Sequence, residues 1–224
     1  MFEAMLKRFS TQVLIGCLLL CAVPFAAAAD AAAAANAPAG GDAPVWLVLG
    51  DSISAAYGIP QSRGWVALLQ QRLRDRGYNA RVVNASVSGE TTAGGLARLP
   101  ALLARHRPKV VLIELGGNDG LRALPIARLR DNLTQLVGLS RQAGARAAVF
   151  EMLLPSNYGP DYVAQFTASF GLVAKAQRAT LVPFLLAPIA ADPSAFQDDG
   201  IHPTAAVQDR LLDTVWPALE PLAR

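Results

Sequence analysis

Pro44-Val45-Trp46-Leu47-Val48-Leu49-Gly50-Asp51-Ser52 is an apolar run that stops at a glycine and hands over to two polar residues. Five such residues without polar alternation, rich in valine and leucine, read as a strand covered on both faces, the signature of a parallel sheet rather than of an open antiparallel one. The same pattern returns at Ala80 to Asn84, Val110 to Leu115, Ala147 to Leu153 and Thr180 to Phe184. Between these runs lie Trp65 to Arg76, Thr92 to Arg105, Pro125 to Ala143 and Asp161 to Arg178, all long enough for helices. A last helix is expected over Thr204 to Leu219, just after Pro203, a residue suited to a helix start. Five β-units alternating with α-units predict a three-layer α/β/α sandwich around a five-stranded parallel sheet, with right-handed crossovers.

That topology says where chemistry belongs. In an open α/β sheet, ligands bind beyond the carboxyl ends of the strands. Ser52 follows the first run, Ser86 to Thr91 the second, Gly116 to Asp119 the third and Leu154 to Gly159 the fourth, while Asp199 and His202 lie in the long segment after the fifth. All therefore fall on one edge of the sheet.

The residue types on that edge point to acyl transfer. A serine nucleophile at neutral pH needs a base, and the chain has two histidines, His106 and His202. His106, in Arg105-His106-Arg107-Pro108, closes a basic helix, where cations offset the helix dipole, and reads as structural. His202 remains. Asp199-Gly200-Ile201-His202 is a turn that can set a carboxylate beside an imidazole three residues on, orienting it and stabilising the imidazolium. Asp198 could serve on chemistry alone, but Asp199 leaves Gly200 and Ile201 to make the turn. The tetrahedral oxyanion needs donors, and the Ser52 N–H, the Gly89 N–H and the Asn118 side-chain amide are the candidates. Asp51 and Asp119 read as loop braces. Taken singly each motif has an ordinary explanation: Gly50-Asp51-Ser52 as a helix cap, Gly89 and Gly116-Gly117 as turns. Neither clustered cysteine and histidine ligands nor a phosphate-cradling Gly-x-x-x-x-Gly-Lys occurs, so no metal or nucleotide cofactor is expected.

The N-terminus has a different character. Lys7 and Arg8 precede an apolar run from Val13 to Ala29 that contains Pro24 and ends in alanines, the pattern of a secretory signal. Residues 1–29 are accordingly read as a signal peptide cleaved after Ala28 or Ala29. Residues 30–43, mostly Ala, Gly and Pro, read as a flexible leader, and 44–224 as one domain. Leu14-Ile15-Gly16-Cys17 resembles a lipoprotein box, but too little apolar chain precedes it. Both cysteines, Cys17 and Cys21, sit in the signal, so the mature chain would enter an oxidising compartment without a disulfide and rely on its core; about 180 residues suffice for that. Without Glu3, Lys7 and Arg8 the chain keeps 18 of its 20 basic and 16 of its 17 acidic side chains, a balance that gives no reason to expect nucleic acid as partner. The periplasm is the expected location, with the extracellular space as alternative, and a monomer without a membrane span is expected.

With these residues in hand the chain resembles the GDSL or SGNH hydrolase family, whose four blocks carry Ser, Gly, Asn and His; Ser52, Gly89, Asn118 and His202 match them in order, with Asp199 completing a triad. It is similar above all to the bacterial periplasmic subgroup of acyl-CoA thioesterase I, lysophospholipase and arylesterase. The matching segments are Asn84 to Thr91, Gly95 to Pro100, Glu114 to Arg122, Pro155 to Gly159 and Asp198 to Pro203, within a likeness that runs from Trp46 to Pro221. The resemblance implies a flavodoxin-like fold, a catalytic serine on a mobile loop, and a shallow groove for varied acyl groups. It further implies that Gly120 to Pro125 closes over the acyl chain, and that Leu121, Leu154, Pro155 and Tyr158 belong to the groove. Ile53 stands where the block name has Leu. Leu153 stands where a polar residue is expected, which would make the groove more apolar. Small-molecule acyl esters, thioesters or lysophospholipids are the expected substrates. A carbohydrate O-acetylesterase, or a silent acyl- or lipid-binding protein, remain the alternatives.

Overall fold

The computed structural model describes residues 43–224; the expected signal peptide, the expected leader up to residue 42 and the Cys17 motif that resembles a lipoprotein box lie outside the described residues. The strands are β1 (Val45–Gly50), β2 (Arg81–Asn84), β3 (Val110–Glu114), β4 (Arg146–Phe150) and β5 (Thr180–Val182), with α1 (Trp65–Asp75), α2 (Thr92–His106), α3 (Gly117–Leu121), α4 (Ile126–Gln142), α5 (Pro160–Gln177) and α6 (Gln208–Leu219) around them. All pairings are parallel and the order is β2-β1-β3-β4-β5, the doubly wound arrangement of flavodoxin type.

Each helix buries one stripe. Trp65, Val66, Leu69 and Leu73 of α1 and Leu211, Leu212, Val215, Trp216 and Leu219 of α6 are buried, and these two helices pack together on one face of the sheet. On the other face α4 lies between α2 and α5, burying Leu129, Leu133, Leu136 and Val137. The central strands β1 and β3 are buried throughout. Five parallel strands with two helical layers match the expected fold class, yet not every strand is covered on both faces. In β2 only Val83 is fully buried, and in β5 only Val182; each is an edge strand, with a helix layer overhanging only part of it. The fourth strand also ends earlier than its apolar run. After Phe150 the chain leaves the sheet, and Leu153 is 48% exposed.

The strand order fixes the site. From β1 the chain winds outward to β2, then crosses back to place β3 on the other side of β1. The loops after β1 and β3 thus diverge at the switch point of the sheet, which opens a crevice at its carboxyl edge. Gly116, just past β3, is indispensable there: its φ is +124°, and a β-carbon would come within 2.9 Å of the Phe170 ring.

Candidate active site

Ser52 is the second residue after β1, in a turn closed by Ala55 N donating to Asp51 O at 2.9 Å. Its hydroxyl lies 2.8 Å from His202 Nε2, across 150 positions of sequence. On the far side of the ring, His202 Nδ1 is 2.7 Å from Asp199 Oδ2. The other oxygen of Asp199 accepts the backbone N–H of Ile201 and of His202, both at 2.9 Å. These backbone bonds, first that of His202, together with the imidazole hold the Asp199 carboxyl down at about 2. It is therefore ionised at any pH at which an imidazole can act as base, and an ionised carboxylate on Nδ1 leaves Nε2 facing the serine as acceptor. Asp198 makes no hydrogen bond to His202.

The three amide donors come from three loops. Gly89 turns with φ +76°, and directly behind it Thr91 caps α2, its Oγ1 accepting Gly94 N at 3.3 Å. Among the described residues neither Ser52 N–H nor Gly89 N–H has an acceptor, so both are free for an incoming oxyanion. Asn118 Nδ2 donates to Asp51 Oδ2 at 3.1 Å, which orients the amide and leaves its second hydrogen available. The two aspartates brace as expected. Asp51 also takes Ile53 N at 3.0 Å, and Asp119 takes Thr92 N at 2.9 Å and Thr92 Oγ1 at 2.5 Å, tying the Asn118 loop to the start of α2.

Beneath the serine lies a buried acid that sequence reading missed. Glu114, the last residue of β3, is 2% exposed and 2.6 Å from Ser54 Oγ. Burial, then the nearby Asp51 charge, push its carboxyl well above the ordinary range. Burial likewise raises Asp51 to about 6. Nothing local in Val-Val-Leu-Ile-Glu marks the glutamate as buried; only the strand's coverage on both faces does.

Ser52, Gly89, Asn118 and His202 open into one cleft of about 420 Å³; Asp51, Ser88 and Glu114 add polar groups to its lining, and most of the remaining wall is apolar, including Leu121, Met152, Leu153, Leu154, Pro155 and, after β5, Phe184 to Leu186. Among the described residues no cluster of three or more His, Cys, Asp or Glu could hold a metal ion.

The model of the GDSL-like lipase/acylhydrolase family matches residues 48–210. The chain belongs to that family. It is 54% identical to the esterase TesA of Pseudomonas aeruginosa over 79% of this chain and 88% of that protein. It is 42% identical to the thioesterase 1/protease 1/lysophospholipase L1 of Escherichia coli K12, over 79% and 83%. The crystal structure of a psychrotrophic esterase from Pseudoalteromonas, inhibited by monoethylphosphonate, is 42% identical with a TM-score of 0.76, covering 79% of this chain and 97% of that one.

Within this GDSL-like hydrolase the remaining expectations divide. Leu121, Leu154 and Pro155 line the cleft and Leu153 joins them. Tyr158 stands outside the lining; its hydroxyl donates to Leu121 O at 2.9 Å, so it props the groove wall from behind. The segment Gly120 to Pro125 is less loop than expected, since Gly120 and Leu121 close α3 and Gly120 is buried against Phe166 and Leu154. His106 ends α2 at the opposite edge of the sheet from Ser52. Burial and then the charges of Arg105 and Arg81 hold it below its usual range, so the arginines rather than His106 supply the positive charge at that helix end. The apolar residues after β5, and Phe196 beside the base, carried no signal of a place in the cleft beyond being hydrophobic, and Ile201 was marked only as a turn residue.

Proposed function

We propose that the protein hydrolyses carboxylic esters and thioesters of medium to long acyl chains through an acyl-enzyme on Ser52. The observation that carries this reading is the unbroken relay of 2.8 Å and 2.7 Å from Ser52 through His202 to Asp199 at the floor of an apolar cleft. Ser52 Oγ attacks the acyl carbonyl as His202 Nε2 takes its proton. Asp199 stabilises the resulting imidazolium, and Ser52 N–H, Gly89 N–H and the Asn118 amide receive the oxyanion. His202 then protonates the departing alkoxide or thiolate, and water repeats the sequence on the ester of Ser52. The printed names of the relatives, esterase and thioesterase/lysophospholipase, support both leaving-group classes. A wall of leucines and phenylalanines with Pro155 supports a chain longer than acetyl, because each buried methylene contributes about 0.8 kcal/mol of binding.

Residues 1–29 support export to the periplasm with removal of the signal. Cytosolic acyl-CoA would not then be the everyday substrate, and lysophospholipids or exogenous esters fit better. Among the described residues no helix is long and apolar enough to cross a membrane.

The test is hydrolysis of p-nitrophenyl esters from two to sixteen carbons by the mature protein and by Ser52→Ala. Loss of turnover in a folded variant, with a wild-type peak beyond four carbons, supports the reading. A peak at acetyl would move it to an O-acetylesterase. N-terminal sequencing of the exported protein locates the cleavage site.

A further inference from the structure

One aromatic ring in the cleft wall has no task in the scheme above. Tyr57 is 52% exposed, yet its ring packs on the imidazole of His202, with centroids 4.4 Å apart and planes tilted by 38°. The pose is built, not incidental. Tyr57 N donates to Ser52 O at 3.1 Å. Gln197 Nε2 donates to Tyr57 O at 2.8 Å and to Pro203 O at 3.1 Å, and Gln197 N donates to His202 O at 2.8 Å. One glutamine thus clasps the loop of the serine to the loop of the histidine, 140 residues apart. Gly58 leaves the room for it: at φ +74°, a β-carbon there would run into the Gln197 carboxamide.

We propose that Tyr57 is a positioning residue for the proton transfer: clasped by Gln197, its ring holds His202 toward Ser52 and stabilises the imidazolium that forms as Ser52 attacks. The face of a phenol ring is electron-rich and attracts a cation within about 6 Å of its centre. In the step itself the Ser52 O–H bond breaks, the oxygen bonds to the acyl carbon, the carbonyl electron pair becomes the oxyanion, and the proton passes to Nε2. The cation exists only after that transfer, so the ring favours the transition state over the ground state. The other charged groups that bear on His202 are Asp199 on its own loop and Asp51 under the serine loop, with Glu114 beyond Asp51. A change at Tyr57 leaves all three in place.

The inference rests on the serine-hydrolase reading. It is tested by the pH profile of kcat/KM, with separate kcat and KM on acetyl and decanoyl p-nitrophenyl esters, for wild type, Tyr57→Phe and Tyr57→Leu. Phenylalanine keeps the ring face and is expected to match wild type. Leucine keeps apolar bulk without the face. It is expected to lower kcat about two- to fivefold on both esters and to move the acidic limb down by about 0.4–0.7 of a pH unit. The sign follows because removing a group that favours the cation lets the base lose its proton at lower pH. A ring that merely walled the groove would give a higher KM for decanoyl ester with kcat and the limb unchanged. A ring that merely shielded the imidazole from water would give an upward shift. Either result overturns the proposal. Active wild type with an unmoved Tyr57→Leu limb refutes only the role of Tyr57, whereas turnover surviving in Ser52→Ala refutes the serine mechanism beneath it.

Discussion

Replacing Asp51 by asparagine should make the protein more stable and less active, and the stability gain should have a particular dependence on pH. Asp51 is 4% exposed, and burial raises its carboxyl from 3.8 to about 6. A group whose folded value lies above its unfolded value binds its proton more tightly when folded, so stability is lost as the pH climbs from the unfolded value through the folded one. The shift of about two units corresponds to about 3 kcal/mol, at 1.36 kcal/mol per unit. Asparagine cannot ionise and escapes this loss. The difference in unfolding free energy, variant minus wild type, should therefore rise by about 3 kcal/mol between pH 3 and pH 7 and stay level above. Urea unfolding at half-unit pH intervals, with both proteins at equal ionic strength, reads this directly. Activity should move the other way. Asp51 Oδ2 receives Asn118 Nδ2 at 3.1 Å and Oδ1 receives Ile53 N at 3.0 Å. An asparagine that keeps its oxygen toward Ile53 points a second NH₂ at Asn118, and the oxyanion donor turns away. Loss of one such donor costs about 3 kcal/mol, or about 10²-fold in kcat. A stability difference that is constant across pH would refute the argument, because it would mean that Asp51 is ionised in the fold at no extra cost.

Three further outcomes follow from the same contacts. Asp199→Asn should lower kcat by about 10³- to 10⁴-fold through loss of the correct tautomer, while Asp198→Asn stays within about threefold; the reverse ranking in steady-state assays would overturn the assignment of the carboxylate. Leu154→Asp places a charge in the groove wall and should cut kcat/KM on decanoyl esters by about 10- to 100-fold, with acetyl esters far less affected; equal losses on both would separate Leu154 from the acyl chain. Gly116→Ala meets Phe170 at 2.9 Å with φ at +124° and should destabilise the fold by at least about 2 kcal/mol in thermal or urea unfolding, where an unchanged midpoint would contradict the packing described at the switch point.

The sequence made the site legible for a reason peculiar to parallel sheets. Every crossover returns the chain to the same edge, so Ser52, Gly89 and Asn118, each soon after a strand, and His202, in the long segment after the last strand, converge without any knowledge of strand order. Within the chain, Asp199 and His202 are three residues apart, and a local turn suffices to join them. What could not be read depends on contacts with no local pattern. Gln197 reaches Tyr57 across 140 residues, and neither residue type announces a clasp. Glu114 ends an apolar strand in the manner of any solvated residue at a strand terminus, but the nucleophile loop folds over it. Tyr158 was expected in the groove itself, from the resemblance, and not as its prop, since its hydroxyl finds a backbone carbonyl of another segment. The apolar run beyond Phe150 could not be told from strand by periodicity, because the cleft needs leucines as much as the core does.

The nucleophile loop also bears on the expectation of a mobile serine. Its backbone is held from several directions: Asn84 Nδ2 donates to Ser54 O at 2.7 Å, Ser54 Oγ meets Glu114, Asp51 holds Ile53 N, and Gln197 holds Tyr57 O. Two of these ties end on carboxyl groups that burial makes expensive to ionise, and Ala56 adopts a positive φ of 59° within the same turn. Elements chosen for stability alone would carry neither a buried acid pair nor a left-handed alanine. Their joint presence at the one turn that carries Ser52 argues that the fold gives up stability there to fix the hydroxyl at 2.8 Å from the imidazole.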